Sequence, residues 1–517
     1  MQQQNNNTYN QPPMGQMMPP QAPMSMRQRM SRGVRRVQDI FPKWLSTYPI
    51  VVYILALMVV SFMYSSFEMP WYYILFGVVS VLAFFLFGST AVRNTSLSKI
   101  HRERVFERKL FLLAIIPRII FTLLLYWIFM SNYGDEFGIE AGDATFYNDL
   151  GKEFADALKD GKFFSYWSQV SQSVDVSDMG YGAYVGLVYS FSNNSIIVVR
   201  LIKCLLSAFT VLLVYRIARR NFDTPTARLA AIFCALWPNF WYYCAVHLKE
   251  TEMVFLGVLF VEQADQMIRS RQFTAWKVIP VLLIPAALLT IRTPLAVVAV
   301  LALLFTIVMS SSKVVNWGKR IIVGALAAVL VVVTMGNRIE EQSRSMFEEV
   351  QGGRQKINME WRAERKDKGG YQQAFAKYAG ASIFAPMIFT LPFPTFAYLE
   401  GQEVQQLLNG GNFAKNIISG FTIFALVMLL LSGKWRDHLL PLSFMLGYLV
   451  VLTMSAFAQS ERFHQPVMPF EFMFAAYGLS IAVTKPKYKR WFMYWCALMF
   501  IGAVAWNWFK LAGRGLA

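Results

Sequence analysis

Apolar runs long enough to cross a bilayer recur along most of this chain, and that constrains its fold more than any other feature. Runs of roughly 17–25 residues are the length of a membrane-spanning helix. They stand near 48–66, 71–90, 110–130, 195–217, 226–246, 253–268, 278–292, 294–311, 320–336, 412–432, 438–457, 467–484 and 491–509. Prolines at Pro70 and Pro294 mark the turns between closely spaced runs. Of 517 residues, 56% are hydrophobic and only 15% charged, against about 25% charged in soluble domains. The expected fold is an all-α polytopic membrane protein with about thirteen transmembrane helices.

The net charge of +18 does not point to nucleic acid, because the basic residues fall mainly in short loops, where they set orientation. Arg93 to Lys109, Arg216 to Arg220, Arg269 to Lys277, Lys313 to Arg320, Lys434 with Arg436, and Lys485 to Arg490 are the basic clusters. With the N-terminus in the cytoplasm, all of them land on the cytoplasmic side. Residues 1–46 are Gln/Asn-rich and then basic, and predict a disordered cytoplasmic tail without a cleavable signal peptide. Its basic part, Arg27 to Lys43, stands next to the first span, where its minimal role is to hold the N-terminus in the cytoplasm. Cys204, Cys234, Cys244 and Cys496 all lie in apolar segments and read as buried small hydrophobes.

Two long loops then fall on the outer side. The first, 131–194, holds ten Asp/Glu up to Asp178 against three Lys. Residues 148–164 alternate apolar and charged side chains at helical spacing, and 181–191 form a short apolar aromatic stretch; both read as interfacial helices. The second loop leads from 337 into 383–398, where Pro386, Pro392 and Pro394 suit a re-entrant or interfacial segment. The chain thus divides into a tail (1–46), two N-terminal helices with a basic loop (47–109), a core (110–336), an outer-loop region (337–411) and C-terminal helices (412–517).

The order of features carries a resemblance. An apolar run at 110–130 precedes Asp143 in Gly142-Asp143-Ala144-Thr145-Phe146-Tyr147. Val199-Arg200-Leu201, Trp237-Pro238 and His247-Leu248-Lys249-Glu250-Thr251-Glu252 follow, and Arg462-Phe463-His464-Gln465-Pro466 comes much later. This order resembles the GT-C superfamily of membrane glycosyltransferases, in its protein mannosyltransferase, aminoarabinose transferase and dolichyl-phosphate-sugar transferase branches. The likeness covers 110 to about 310 best; the first two helices and the tail lie outside it. It implies a GT-C-like bundle, a polyprenyl-phosphate-linked sugar donor, a glycan, lipid or protein acceptor, and a first-loop carboxylate at the catalytic centre. The matching position is Asp143. No Asp-x-Asp pair is present, so a divalent metal has no motif to support it, and no other cofactor is expected.

Glycosyl transfer needs a base for the acceptor hydroxyl and cations for the departing phosphate. Asp143 is the candidate base. Lys249, Arg292 and Arg462 are candidate phosphate contacts, Glu250 an orienting or acceptor-side carboxylate, His464 a neighbour of Arg462, and Tyr147 a stacking ring one helical turn from Asp143. Asp135 and Glu136 are further candidates for acceptor or metal binding. Each also has a structural reading, as a solvated loop acid, a snorkelling cation or a packed ring. The function these residues predict is sugar transfer on the outer face of a bacterial cytoplasmic membrane. A polysaccharide polymerase or ligase using lipid-pyrophosphate glycans, and a transporter or flippase of lipid-linked sugars, are the alternatives.

Overall fold

The computed structural model describes residues 41–88, 103–270, 275–310, 387–454, 460–483 and 487–512. Most of the tail, the basic segment 89–102, the expected span at 320–336 and most of the second long loop lie outside the described residues. The order of helices is α1 (Lys43–Met63), α2 (Trp71–Leu82), α3 (Glu103–Tyr133), α4 (Ala141–Lys159), α5 (Phe163–Val170), α6 (Val176–Ser192), α7 (Ile196–Asn221), α8 (Thr224–Leu236), α9 (Pro238–Ala245), α10 (Glu250–Arg269), α11 (Ala275–Ile291) and α12 (Thr293–Met309). It continues with α13 (Glu403–Leu407), α14 (Asn409–Leu431), α15 (Leu439–Met454), α16 (Glu461–His464), α17 (Met468–Ala482) and α18 (Lys487–Ala512). Among the described residues there is no strand, only an isolated bridge between Glu68 and Ala397.

The protein is an all-helical, multi-pass membrane protein. Five described helices are long and apolar enough to cross a bilayer unaided: α1, α3, α7, α14 and α18. Trp71–Phe87, Thr224–Leu236, Trp276–Ile291 and Thr293–Met309 are apolar but shorter. The hydropathy count of about thirteen spans therefore exceeds what the described helices establish, and prolines are one reason. The run at 226–246 is not one helix: Trp237 is extended (φ −73°, ψ 120°) and Pro238 starts α9. A proline has no N–H to continue the ladder and pushes its predecessor out of the α region. The carbonyls freed at the break are satisfied from outside. Arg118 of α3, fully buried, donates to Ala235 O (3.0 Å) and Cys234 O (3.2 Å), and Trp241 Nε1 donates to Ala235 O (2.9 Å). Arg292 (φ −159°, ψ 93°) similarly separates α11 from α12, ahead of Pro294.

α7 lies at the centre of the N-terminal part, packed on α3, α8, α9 and α10, while α14 packs on α17 and α2, and α18 on α1. Apolar side chains turned away from this core form the lipid-facing surface; Phe62 is 89% exposed and Leu431 79%. The 26 residues of α7 reach about 39 Å at 1.5 Å per residue, more than the roughly 30 Å hydrocarbon thickness. Its two ends carry different chemistry. At the C-terminal end Arg220 binds Asp265 (2.7 Å) and Glu262, and Arg269 binds Asp265 (2.8 Å) and the Asp437 carbonyl (3.0 Å). At the N-terminal end Arg200 donates to Glu136 O (2.6 Å), beside the acidic loop. All four cysteines are buried, as expected of small hydrophobes.

The first long loop folds back on the bundle. The expected helix at 148–164 is α4, starting earlier at Ala141 and ending before Gly161, whose positive φ (71°) turns the chain into α5. The stretch at 181–191 is the longer α6, capped at its start by Asp175, whose side chain accepts from Ser177 N (2.8 Å). α4 and α6 cross closely at glycine: a Cβ on Gly186 would stand 2.9 Å from Gly151 O and 3.0 Å from Ala155 N.

Residues 391–397 are buried and not helical, as the prolines there suggest. Unwound backbone inside a membrane protein must find partners within the protein. Asn507 of α18 accepts from Phe396 N (2.7 Å) and donates to Pro394 O (3.0 Å); Asn416 of α14 donates to Pro392 O (3.0 Å). Asn507→Leu strands one donor and one acceptor in the interior. It is expected to destabilise the protein by about 1–3 kcal/mol per orphaned group, read as a lower thermal midpoint in detergent; an unchanged midpoint would contradict this role.

Candidate active site

Four chain segments bring their polar ends together. The turn Gly138–Glu140 leads into α4 and places Asp143 in its first turn, where the helix dipole favours a carboxylate. Tyr147 follows one turn later on the same face. Asp178 lies in the first turn of α6. Lys249 and Glu250 are the N-cap and first residue of α10, and Arg462 belongs to the short helix α16.

Arg462 joins them. Its Nη1 donates to Asp143 Oδ2 and its Nε to Glu250 Oε1. Burial alone would favour the neutral guanidine, but Glu250 and Asp143 hold Arg462 charged, well above its ordinary range. Next to this pair lies a second. Lys249 Nζ donates to Asp178 Oδ1 and to Ser177 O (2.9 Å), and Tyr147 OH donates to the same Asp178 oxygen (2.6 Å). Burial pushes the Asp178 carboxyl up, but the charge and hydrogen bond of Lys249, with that of Tyr147, outweigh it and hold Asp178 below the usual range. Burial pulls the Lys249 ammonium down further than Asp178 raises it. Lys249 also faces the Tyr147 ring at 5.7 Å. Arg292 and Arg462 flank one ring, Phe463, at 4.7 Å and 5.9 Å from its centroid. Three cations, Lys249, Arg292 and Arg462, thus converge with the carboxylates of Asp143, Asp178 and Glu250.

Exposure separates their chemistry. The Asp143 side chain is 59% exposed, that of Glu250 only 2%. Asp143 is the carboxylate an incoming molecule can reach, while Glu250 anchors Arg462 from inside. His464 is buried, with Nδ1 2.6 Å from Lys415 Nζ, on the α14 side of the bundle. Asp135 and Glu136 lie in the turn after α3, with the Glu136 carbonyl held by Arg200. Among the described residues no group of three or more His, Cys, Asp and Glu is arranged to hold a metal ion.

Glu140 was not singled out by sequence. Its Oε1 accepts from Tyr242 OH at 3.3 Å. Burial raises its carboxyl to about 7, with Arg462 pulling it down and Glu250 and Glu461 pushing it up. The signal was present: Glu140 and Asp143 are three residues apart at a helix start. Lys203 was also missed as a support. It lies fully buried in α7 and donates to Val246 O (2.6 Å) and Leu248 O, fixing the turn that presents Lys249. His247 in that turn is enclosed by Phe137, Tyr181 and Tyr189. Burial, with Lys203 and Arg200 nearby, keeps its imidazole well below the ordinary value.

The paired carboxylates and cations thus gather at one end of an all-helical bundle. Residues 181–336 match the model of the dolichyl-phosphate-mannose-protein mannosyltransferase family, which lies in the GT-C superfamily. The resemblance noted in the sequence therefore has an independent counterpart. Lys249, Glu250 and Arg292 fall inside the matched segment; Asp143, Tyr147, Arg462 and His464 fall outside it. No curated protein and no solved structure matches the chain.

Two predictions follow from this geometry. Arg462→Ala leaves Glu250 buried without its cation and should destabilise the protein by about 3–5 kcal/mol; adding Glu250→Gln should recover much of that, and a mild effect of Arg462→Ala alone would refute the pairing. Glu140 titrates from 4.5 unfolded to about 7 folded. Its protonated form is favoured by folding, so the associated stability is full below 4.5 and lost as pH rises through about 7. The stability of the wild type should fall relative to Glu140→Gln across that window, and parallel profiles would contradict the burial of Glu140.

Proposed function

We propose that this protein transfers a sugar from a polyprenyl-phosphate-linked donor to a hydroxyl acceptor, on the extracytoplasmic side of a bacterial cytoplasmic membrane. The observation that carries the reading is the bridge Asp143–Arg462–Glu250, set beside the family match at 181–336. The matched family is that of dolichyl-phosphate-mannose-protein mannosyltransferases, and that supports a lipid-phosphate sugar here.

The donor phosphate approaches Arg462 and Lys249 and competes with Asp143 and Asp178 for them. Arg462 keeps Glu250 as an inner anchor while its outer face turns to phosphate. Asp143, released from the ion pair, is then free to act as base. The acceptor oxygen forms a bond to the anomeric carbon as the bond from that carbon to the phosphate oxygen breaks. The electron pair leaves with the phosphate, where Arg462, Lys249 and Arg292 offset the growing charge, and the acceptor proton passes to Asp143. Glu140, titrating near neutral pH, is a second proton acceptor beside it. Tyr147 forms part of the wall and holds Asp178. His464 supports the segment carrying Arg462 through Lys415.

Transport is less well supported. Charged residues do lie inside the helices. Arg118 and Lys203, however, are tied to backbone carbonyls at breaks in neighbouring segments, an arrangement that supports structure rather than passage. The topology is supported by the basic network of Arg220 and Arg269 at the other end of α7 from the acidic loop.

Asp143→Asn keeps the shape and removes the base. Release of polyprenyl phosphate from a polyprenyl-phosphate sugar in proteoliposomes should fall by about 100- to 10,000-fold with folding intact. Full activity in Asp143→Asn would remove Asp143 from the mechanism.

A further inference from the structure

The turn that carries Glu140 also walls a second hollow, of about 680 Å³, within the size range of small-molecule sites. It is lined by Tyr72 and Tyr73 of α2, Tyr133 at the end of α3, Tyr398, and the carboxylates Glu68 and Glu403. Ile139, in the turn that leads into α4, also lines it. No Lys, Arg or His lines it among the described residues. Three of the tyrosines are half open, at 44% for Tyr72, 49% for Tyr133 and 38% for Tyr398. Such rings offer an apolar face and a hydroxyl at once.

The walls are fixed rather than loose. Glu68 pairs with Ala397 in the isolated bridge, and Tyr398 N donates to Phe67 O (2.6 Å). Gly401 N donates to Glu403 Oε1 (2.9 Å), and Gln406 Nε2 to Leu399 O (2.6 Å). The Tyr72 and Tyr73 rings meet edge to face at 4.6 Å. The loop between α1 and α2 is thereby stapled to the segment before α13, and the two build the hollow together. Much of this wall precedes the matched segment 181–336, so its specificity belongs to this chain's own helices.

We propose that this hollow is the acceptor subsite, and that the acceptor presents a neutral, hydroxyl-rich saccharide to it. Tyrosine faces suit the C–H faces of sugar rings, and carboxylates accept hydrogen bonds from sugar hydroxyls. Two carboxylates with no cation reject a phosphate, which complements the cation-rich centre next door. The inference rests on the glycosyl-transfer reading, and it deepens it by assigning the acceptor class. Through Ile139 the hollow shares a wall with the turn that leads into α4, whose first turn carries Asp143.

The test uses the full-length protein in nanodiscs and saturation-transfer NMR. Maltotriose and chitotriose are the neutral probes and glucose 1-phosphate the anionic one. At least one neutral trisaccharide should receive saturation, reduced fivefold or more in Tyr133→Ala, Tyr398→Ala and Glu403→Gln, with glucose 1-phosphate giving none that depends on these residues. No transfer to either trisaccharide, transfer unchanged in all three variants, or glucose 1-phosphate binding lost with them would each overturn the proposal. Undecaprenyl phosphate binding, read by native mass spectrometry, separates this from the reading it rests on. It should persist in the three variants, which also shows that they are folded, and fall at least tenfold in Arg462→Lys. Loss of lipid binding in the variants counts against a separate acceptor subsite, while its absence from the wild type counts against the donor.

Discussion

A guanidinium shared between two carboxylates, one buried and one open, organises this end of the molecule. Arg462 cannot be stripped of water beside Glu250 without a partner, because an uncompensated charge in that setting costs several kcal/mol. Glu250 pairs with it from the buried side, and Asp143 completes the pair from the side open to solvent. In the mechanism we propose, that asymmetry makes the ion pair exchangeable: the inner carboxylate holds the cation in place while the outer one yields to a phosphate. Lys249 pairs with Asp178 beside it, and Phe463 brings Arg292 alongside.

The bundle makes room for this by breaking its own helices and repairing the breaks with side chains. Arg118 caps the carbonyls left where α8 gives way to α9, Lys203 holds the turn before α10, and Asn507 with Asn416 serves the unwound stretch before α13. In hydrocarbon such breaks survive only when every freed backbone group meets a partner inside the protein. The buried polar residues of the helices are therefore the condition for irregular backbone near the site, and the irregular backbone is what aims Lys249 at its partners.

Much of this could be read from sequence, for reasons that differ by feature. Apolar runs announced the helices, and Pro70 and Pro294, read as turns between runs, stand at helix starts. Acidic residues at 135–178 with helical periodicity anticipated α4, and the order of Asp143, Lys249 and Arg462 gave the resemblance. Pairing was not legible, because Asp143 and Arg462 are 319 residues apart and no local pattern encodes their contact. Glu140 looked like one loop acid among ten, since its distinction is its contact with Tyr242 and its nearness to Glu250 and Glu461, which only packing creates. The run at 226–246 read as one span; that Trp237-Pro238 divides it into two helices depends on Arg118 being at hand to satisfy the break.

The central claim is that the cations of this centre exist to receive a lipid-linked phosphate. A structure of the protein with bound polyprenyl phosphate tests it most directly. The account places phosphoryl oxygens within hydrogen-bonding distance of Arg462 and Lys249, with Asp143 moved off the guanidinium and Glu250 still on it. A phosphate bound elsewhere, with the Asp143–Arg462 pair intact, would contradict it.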